Sequence, residues 1–223
     1  MRIRRRTPTT AAPPPWALLS FLLRYPDDGV VAAWAGEVAA LPAGPVRSAL
    51  ERFLAGSTAS PAAHYVETFD LRRRASLHLT YYAHGDTRER GMALLRLKKL
   101  YRAAGLPMKS RELPDHLTVM LAFAALAPPG HGEAVLTEHR PAIELLRLSL
   151  HDLGSPYAHV LDAIALLLAP LSVSERGKVA RLVREGPPDE AVGLEPYGPP
   201  EAMPTAATSA DAVGCGGDRS ETG

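Results

Sequence analysis

At a period of 3.6 the apolar positions fall into a succession of short amphipathic segments, and no stretch alternates convincingly at period two. WALLSFLLRY, after Pro15, predicts a short apolar helix stopped by Pro26. Asp27 and Asp28 start a second helix over VVAAWAGEVAAL, with Trp34 as its core anchor, and residues 45–55 predict a third. Ser60-Pro61 offers a capping hydroxyl and then proline at the first helical position, which opens AAHYVETF. Asp70 then caps a helix on which Leu71, Ala75, His78 and Tyr82 share a face, while Arg72 and Arg73 point elsewhere.

In the next segment Asp86 follows Gly85 as an N-cap, and Glu89 completes a capping box. That helix ends at Gly105, free to take a left-handed cap, with Pro107 behind it as a stop. Ala93, Leu94, Leu97, Leu100, Tyr101 and Ala104 fall on one arc, with Arg96, Lys99 and Arg102 outside it. Two residues break the pattern: Arg90 lies inside the apolar arc and Leu95 sits among the charges. An interhelical ion pair or a snorkelling stem accounts for Arg90, and a lone surface leucine for Leu95. The alternative is that both line a groove used by another protein.

Pro114 disfavours helix at Leu113, so a helix is expected to begin there with Asp115 and His116 in its first turn, Asp115 satisfying free N–H groups. LTVMLAFAALA, from Leu117 to Ala127, is apolar nearly all round and predicts a central helix covered on every side. Pro128-Pro129-Gly130 breaks the chain; EAVLTEHR, a break at Pro141, AIELLRLSLHDL, then YAHVLDAIALLLA after Ser155-Pro156 follow, with a weak helix near Ser174 to Arg184. With β-branched residues sparse, the class expected is all-α.

At 223 residues the chain is long enough for one full core with extra tails. The expected organisation is a disordered basic arm over residues 1–15, a helical domain over 16–185, and an acidic Pro/Gly-rich tail over 186–223. Within that tail Val192, Leu194 and Tyr197 offer a short strap for docking back onto the body. Total charge is nearly balanced, but Arg2, Arg4, Arg5 and Arg6 give the arm +4, and seven acids against Arg219 give the tail −6. Between His64 and His116 eleven Lys/Arg face six Asp/Glu, which suits an acidic or carbonyl-rich partner or a solvated helical face. The single cysteine, Cys215, allows no intrachain disulfide. The arginines near the start precede prolines instead of an apolar run, so no twin-arginine signal is read, and no window is apolar enough to span a membrane.

Eight histidines invite a search for metal ligands, but no HExxH and no histidine pair at i, i+4 with a third ligand is found. His78 on an apolar face reads as a hydrogen-bonded core histidine. No metal site is expected, and no catalytic set: Asp115 and His116 are adjacent, and neighbours on a helix do not face one another. Gly85 to Gly91 lacks the Lys-Ser/Thr ending of a phosphate loop. Nucleic acid is not expected either, since no aromatic residues interleave with Arg96, Lys99 and Arg102.

YVETFD, RRRASLHLTYY, HGDTRERG, YRAAG and ELPDHL occur in that order. With them the chain resembles the respiratory nitrate reductase delta-subunit family, the NarJ-type molybdenum cofactor assembly chaperones, within the wider TorD-like group of redox-enzyme maturation chaperones. The resemblance covers roughly Trp16 to Glu185. It implies a single helical bundle in the cytoplasm that is not an enzyme. Such a protein binds the apo catalytic (alpha) subunit of nitrate reductase, including that subunit's N-terminal segment. It holds the subunit open for insertion of bis-molybdopterin guanine dinucleotide, binds no cofactor stably itself, and then leaves. In the wider family the counterpart of Glu112, Leu113, Pro114, Asp115 and His116 is linked to partner-peptide binding. The resemblance carries that role onto these five residues and extends it to Tyr82, Asp86, Arg88 and Arg90, with Leu95 added from the groove reading above. Thr118 and Ala122 depart from the family pattern, which often has a proline after DHL and an acid further along the helix. The alternatives are a chaperone for another molybdoenzyme, a GTP-binding maturation factor, and a stable structural subunit.

Overall fold

The computed structural model describes residues 13–109 and 111–185; the basic arginines of the arm, the tail from Gly186 with its strap residues, and Cys215 lie outside the described residues. Among the described residues the first helices are α1 Trp16–Leu22, α2 Asp28–Ala39, α3 Pro45–Ala55 and α4 Pro61–Tyr65. Then come α5 Leu79–His84, α6 Arg88–Ala103, α7 Leu117–Leu126, α8 His131–Glu138, α9 Arg140–Asp152, α10 Tyr157–Leu167 and α11 Val173–Glu185. The class is all-α, as the periodicity requires. α10 packs on α3 and α9, α1 on α7, α7 on α8, α11 on α9, and α5 on both α6 and α9.

The core begins with aromatic rings. Trp34, Phe53, Tyr157, Phe69 and Tyr65 meet in tilted and edge-on contacts with centroids 4.9 to 6.0 Å apart. Such offset contacts suit the ring quadrupoles and add to the burial of large apolar areas. Trp34 is the anchor its sequence position predicts, at 1% exposure. A second tie is ionic: Arg147 of α9 holds Glu144 at 2.6 Å and reaches Asp162 of α10 at 2.9 Å. The Arg147 hydrogen bond, more than any other influence, holds the Glu144 carboxyl below its usual range.

Several sequence expectations are corrected here. The segment after α4 does not continue as an α-helix but widens into a π-turn over Val66–Asp70, where Leu71 N–H reaches back to Val66 C=O at 3.1 Å. Single π-turns of this kind cluster at functional places. Asp70 therefore caps nothing. Leu71 is exposed, a short 3₁₀ turn covers Arg73–Ala75, and α5 starts only at Leu79. The N-cap of α6 is Thr87, one residue beyond Asp86, and makes no side-chain cap bond. α7 starts at Leu117, with His116 as its N-cap, instead of at Pro114. It is not covered on every side, since Leu126 at its end is 71% exposed. Gly105 does adopt the left-handed conformation expected of it, at φ +78°.

α7 and α8 cross at one glycine. A Cβ on Gly132 would stand 2.2 Å from Ala124 Cα, a backbone atom that cannot step aside. Gly177, in exposed α11, has nothing within 4 Å of that position. Gly132→Ala is therefore expected to destabilise the fold by about 1–3 kcal/mol through overpacking. Gly177→Ala is expected to stabilise it by about 0.5–1 kcal/mol through helix propensity. Urea midpoints of the two variants check the opposite signs.

Candidate functional site

Two distant stretches, Leu77–Leu79 and Asp115–Leu117, meet in one antiparallel bridge. Leu117 N–H donates to Leu77 C=O at 2.8 Å, and Leu79 N–H donates to Asp115 C=O at 3.0 Å. These two bonds flank the pair His78 and His116. In such a pair the opposed side chains stand closest and on the same face. The imidazoles accordingly meet edge-on, 5.1 Å between centroids.

Asp115 is fully buried, and the bridge explains why a charge is tolerated there. Its Oδ2 accepts Thr80 Oγ1–H at 2.5 Å and Thr80 N–H at 3.3 Å, and its Oδ1 lies 3.2 Å from His78 Nδ1. Thr80 is in the first turn of α5, so Asp115 caps that helix from outside it, satisfying N–H groups that no residue of α5 can reach. The Arg90 guanidinium of α6 stands 3.6 Å from the same carboxylate. Burial alone would raise the carboxyl's pKa; the hydrogen bonds from His78 and Thr80 and the Arg90 charge outweigh it, and the net direction is down. Burial also holds His116 below its usual value, against the raising influence of Glu112 and with His78 adding to the fall.

The residues expected to meet a partner divide by accessibility. Asp115 and Pro114 are buried, and Tyr101 OH pins the Pro114 carbonyl at 2.8 Å. Tyr82 is buried too, its hydroxyl donating to the carbonyls of Arg74 and Ser76. Its ring borders a hollow of about 450 Å³ that also includes Tyr81, Leu145, Leu148 and Leu182. Arg90 is mostly covered, paired with Asp86 in the turn before its own helix at 3.0 Å and with Asp115 in the loop before α7 at 3.6 Å, and lies over the Tyr81 ring; it is ion-paired as expected, but to loop carboxylates instead of across two helices. Asp86 is exposed and also meets Arg73 at 3.5 Å. Glu112 and Leu113 instead edge a separate hollow of about 300 Å³ with Lys98, Arg102, Met108 and Arg111. Arg88 and Leu95 are exposed on α6. They belong to one stripe, Arg88, Met92, Leu95, Lys99 and Arg102, whose spacing of four and three keeps it on one helix face. Met92 is 63% and Leu95 51% exposed. Met92 escapes the sequence reading because a single exposed methionine carries no signal until its neighbours on the face are known.

His78, Glu112 and His116, which no short sequence spacing connects, come together. One ligand atom from each lies within 4.8 Å of the others. A search for short histidine spacings cannot find a pair joined by a long-range bridge.

An all-helical bundle closed by a bridge between the SLHL and PDHL stretches is what these residues build, and comparison with known proteins assigns its class. The family described as nitrate reductase delta subunit matches residues 39–163, and the chain belongs to it. Among its relatives is "Nitrate reductase-like protein NarX" of Mycobacterium tuberculosis (strain H37Rv), 37% identical over 153 residues, which are 67% of this chain and 23% of that one. "Probable nitrate reductase molybdenum cofactor assembly chaperone NarJ" of Bacillus subtilis (strain 168) is 33% identical over 167 residues, 72% of this chain and 91% of that one. "Nitrate reductase molybdenum cofactor assembly chaperone NarJ" of Escherichia coli (strain K12) is 36% identical over 128 residues, 57% of this chain and 53% of that one. The chain thus spans under a quarter of the NarX protein, about half of the E. coli protein and nearly all of the Bacillus one.

The division between inner and outer residues has a measurable consequence. Asp115→Ala leaves the buried Thr80 N–H and hydroxyl and the His78 ring without their acceptor and the Arg90 charge with Asp86 alone, and is expected to destabilise the fold by about 3–5 kcal/mol. Glu112→Gln, at an exposed position, is expected to change stability by no more than about 0.5 kcal/mol. Denaturant unfolding at neutral pH measures both.

Proposed function

We propose that this chain is an assembly chaperone for a respiratory nitrate reductase. It binds the apo catalytic subunit through that subunit's N-terminal segment and keeps it open for insertion of bis-molybdopterin guanine dinucleotide. It leaves once the cofactor is in place. The observation that carries the reading is the exposed stripe on α6. Met92 and Leu95 lie between Arg88 at one end and Lys99 and Arg102 at the other, and the stripe runs into the hollow edged by Glu112 and Leu113. An apolar strip flanked by cations suits an amphipathic helix that presents its own apolar face and a few acids. The names of the Bacillus and E. coli relatives support the same reading. Among the described residues no helix is long and apolar enough to cross a membrane, which fits a chain that meets its client in water.

The residues then take separate roles. Leu95, Met92 and Leu113 supply apolar contact. Arg88, Lys98, Lys99 and Arg102 orient an acidic segment, and Glu112 sets the polarity at the far end. Asp115, Tyr82, Pro114 and Arg90 act one layer below, holding α5, α6 and the start of α7 in register. The reading assigns the chain no reaction of its own.

Calorimetry with a synthetic peptide of the first residues of the cognate catalytic subunit tests this. Binding between micromolar and nanomolar, about 8–12 kcal/mol, is expected, tight enough to hold and weak enough to release. Leu95→Glu together with Leu113→Ser is expected to weaken it about tenfold or more, with thermal unfolding unchanged. Absence of binding by the unaltered chain contradicts the function. Equal binding by the double variant moves the contact away from α6.

A further inference from the structure

The bridge that joins α5 to the start of α7 also brings together three side chains of metal-ligating chemistry outside the α6 stripe. His78 and His116 are the opposed pair of that bridge, and Glu112 reaches them from the loop before it. Each ring is held by one nitrogen. His78 Nδ1 lies 3.2 Å from Asp115 Oδ1, and His116 Nδ1 lies 2.6 Å from Thr118 Oγ1. A carboxylate only accepts, so the Asp115 bond assigns the proton of a neutral His78 to Nδ1 and leaves the Nε2 lone pair for a ligand. This arrangement, a carboxylate behind a histidine, is the one that orients imidazoles on protein-bound zinc. The Glu112 carboxylate is oriented by Leu113 N–H, which donates to its Oε1 at 3.0 Å.

We propose that His78, Glu112 and His116 bind one divalent transition-metal ion of the zinc class, with Asp115 and Thr118 fixing the two rings from behind. Two imidazoles and one carboxylate form a ligand set that zinc accepts, and three protein ligands leave a fourth position for water. The absence of a thiolate from the cluster argues against copper(I) and iron–sulfur centres. Ligand atoms within 4.8 Å of one another need to close to about 3.4 Å, the edge of a tetrahedron with bonds of about 2.0–2.1 Å. Glu112 is exposed and both rings are only part-buried, so rotation of the Glu112 side chain and small turns of the rings about their Nδ1 hydrogen bonds supply that movement without disturbing the core. The proposal is independent of the chaperone reading: it concerns this chain alone and requires no client.

The test uses the full chain, stripped with chelator and titrated with zinc chloride by calorimetry and with cobalt(II) by visible absorption. One ion per chain is expected, with the intense ligand-field bands of four-coordinate cobalt. Glu112→Gln and His116→Gln are each expected to weaken binding at least about tenfold, and Thr118→Val about tenfold through the released ring. Glu112→Gln keeps the test decisive if a histidine variant fails to fold, and circular dichroism of each variant reports that directly. Two controls cover other donors: His151→Gln with His159→Gln, which empties the pair around Asp162, and Cys215→Ser. Both are expected to bind as the unaltered chain does. No uptake at micromolar zinc overturns the proposal. So does unchanged binding in the folded Glu112→Gln and His116→Gln chains, or binding lost in either control.

Discussion

A buried carboxylate organises this molecule. Asp115 has no solvent to stabilise its charge, so it is held by every donor within reach: the hydroxyl and amide of Thr80, the ring of His78 and the guanidinium of Arg90. Those donors belong to two separate stretches of chain, His78–Thr80 and α6, and the carboxylate itself to a third. The carboxylate therefore fixes the angle of α5, the approach of α6 and the point at which α7 starts. Such an ion is weak evidence for net stability, because desolvation offsets much of its attraction. Removing it is costly all the same, because the donors gathered around it are then left buried without an acceptor. The histidine pair, the Glu112–Leu113 edge and the direction of the α6 face all follow from that placement.

The helical class was legible in the sequence because it rests on local periodicity and on breakers such as Pro61, Gly105, Pro128 and Pro156, each of which acts within its own turn. Trp34 was legible for the same reason, since a large apolar residue has few places to go. What failed was anything set by contact across the chain. The sequence predicts Asp115 to satisfy free N–H groups at the start of the following helix, and it does satisfy such groups, but those of α5 instead. Its chemistry could be read from residue type; its address depended on a bridge between stretches far apart in sequence. The segment from Asp70 to Tyr82 misled in another way. Leu71, Ala75, His78 and Tyr82 have helical spacing, yet the π-turn, the 3₁₀ turn and the extended residues Ser76 and His78 interrupt it. Tertiary bonds to Asp115 and Leu117 outweigh a pattern that local propensity left weak.

The family resemblance named a block of five residues, and the structure gives that block two sides. Pro114 and Asp115 face inward and hold the scaffold; Glu112 and Leu113 face outward beside cations of α6; His116 stands between, part-buried against His78. A block of this kind can resist substitution for architectural reasons and for binding reasons at once. Loss of binding after replacing Asp115 therefore speaks to the frame, whereas loss after replacing Leu95 or Leu113 speaks to the contact surface. Arg90 and Leu95 make the same point on α6: both break the amphipathic pattern, one because it turns inward to the carboxylate and one because it remains outside.

The most direct test of the carboxylate's central role is native-state hydrogen exchange at the amides of Leu79, Thr80 and Leu117. In the unaltered chain these three are predicted to exchange only on large-scale opening, as slowly as amides in the middle of α10 such as Leu161. In Asp115→Asn they are predicted to become selectively fast while α10 stays protected. Loop-like exchange at these amides in the unaltered chain, or unchanged protection in the variant, would contradict the account.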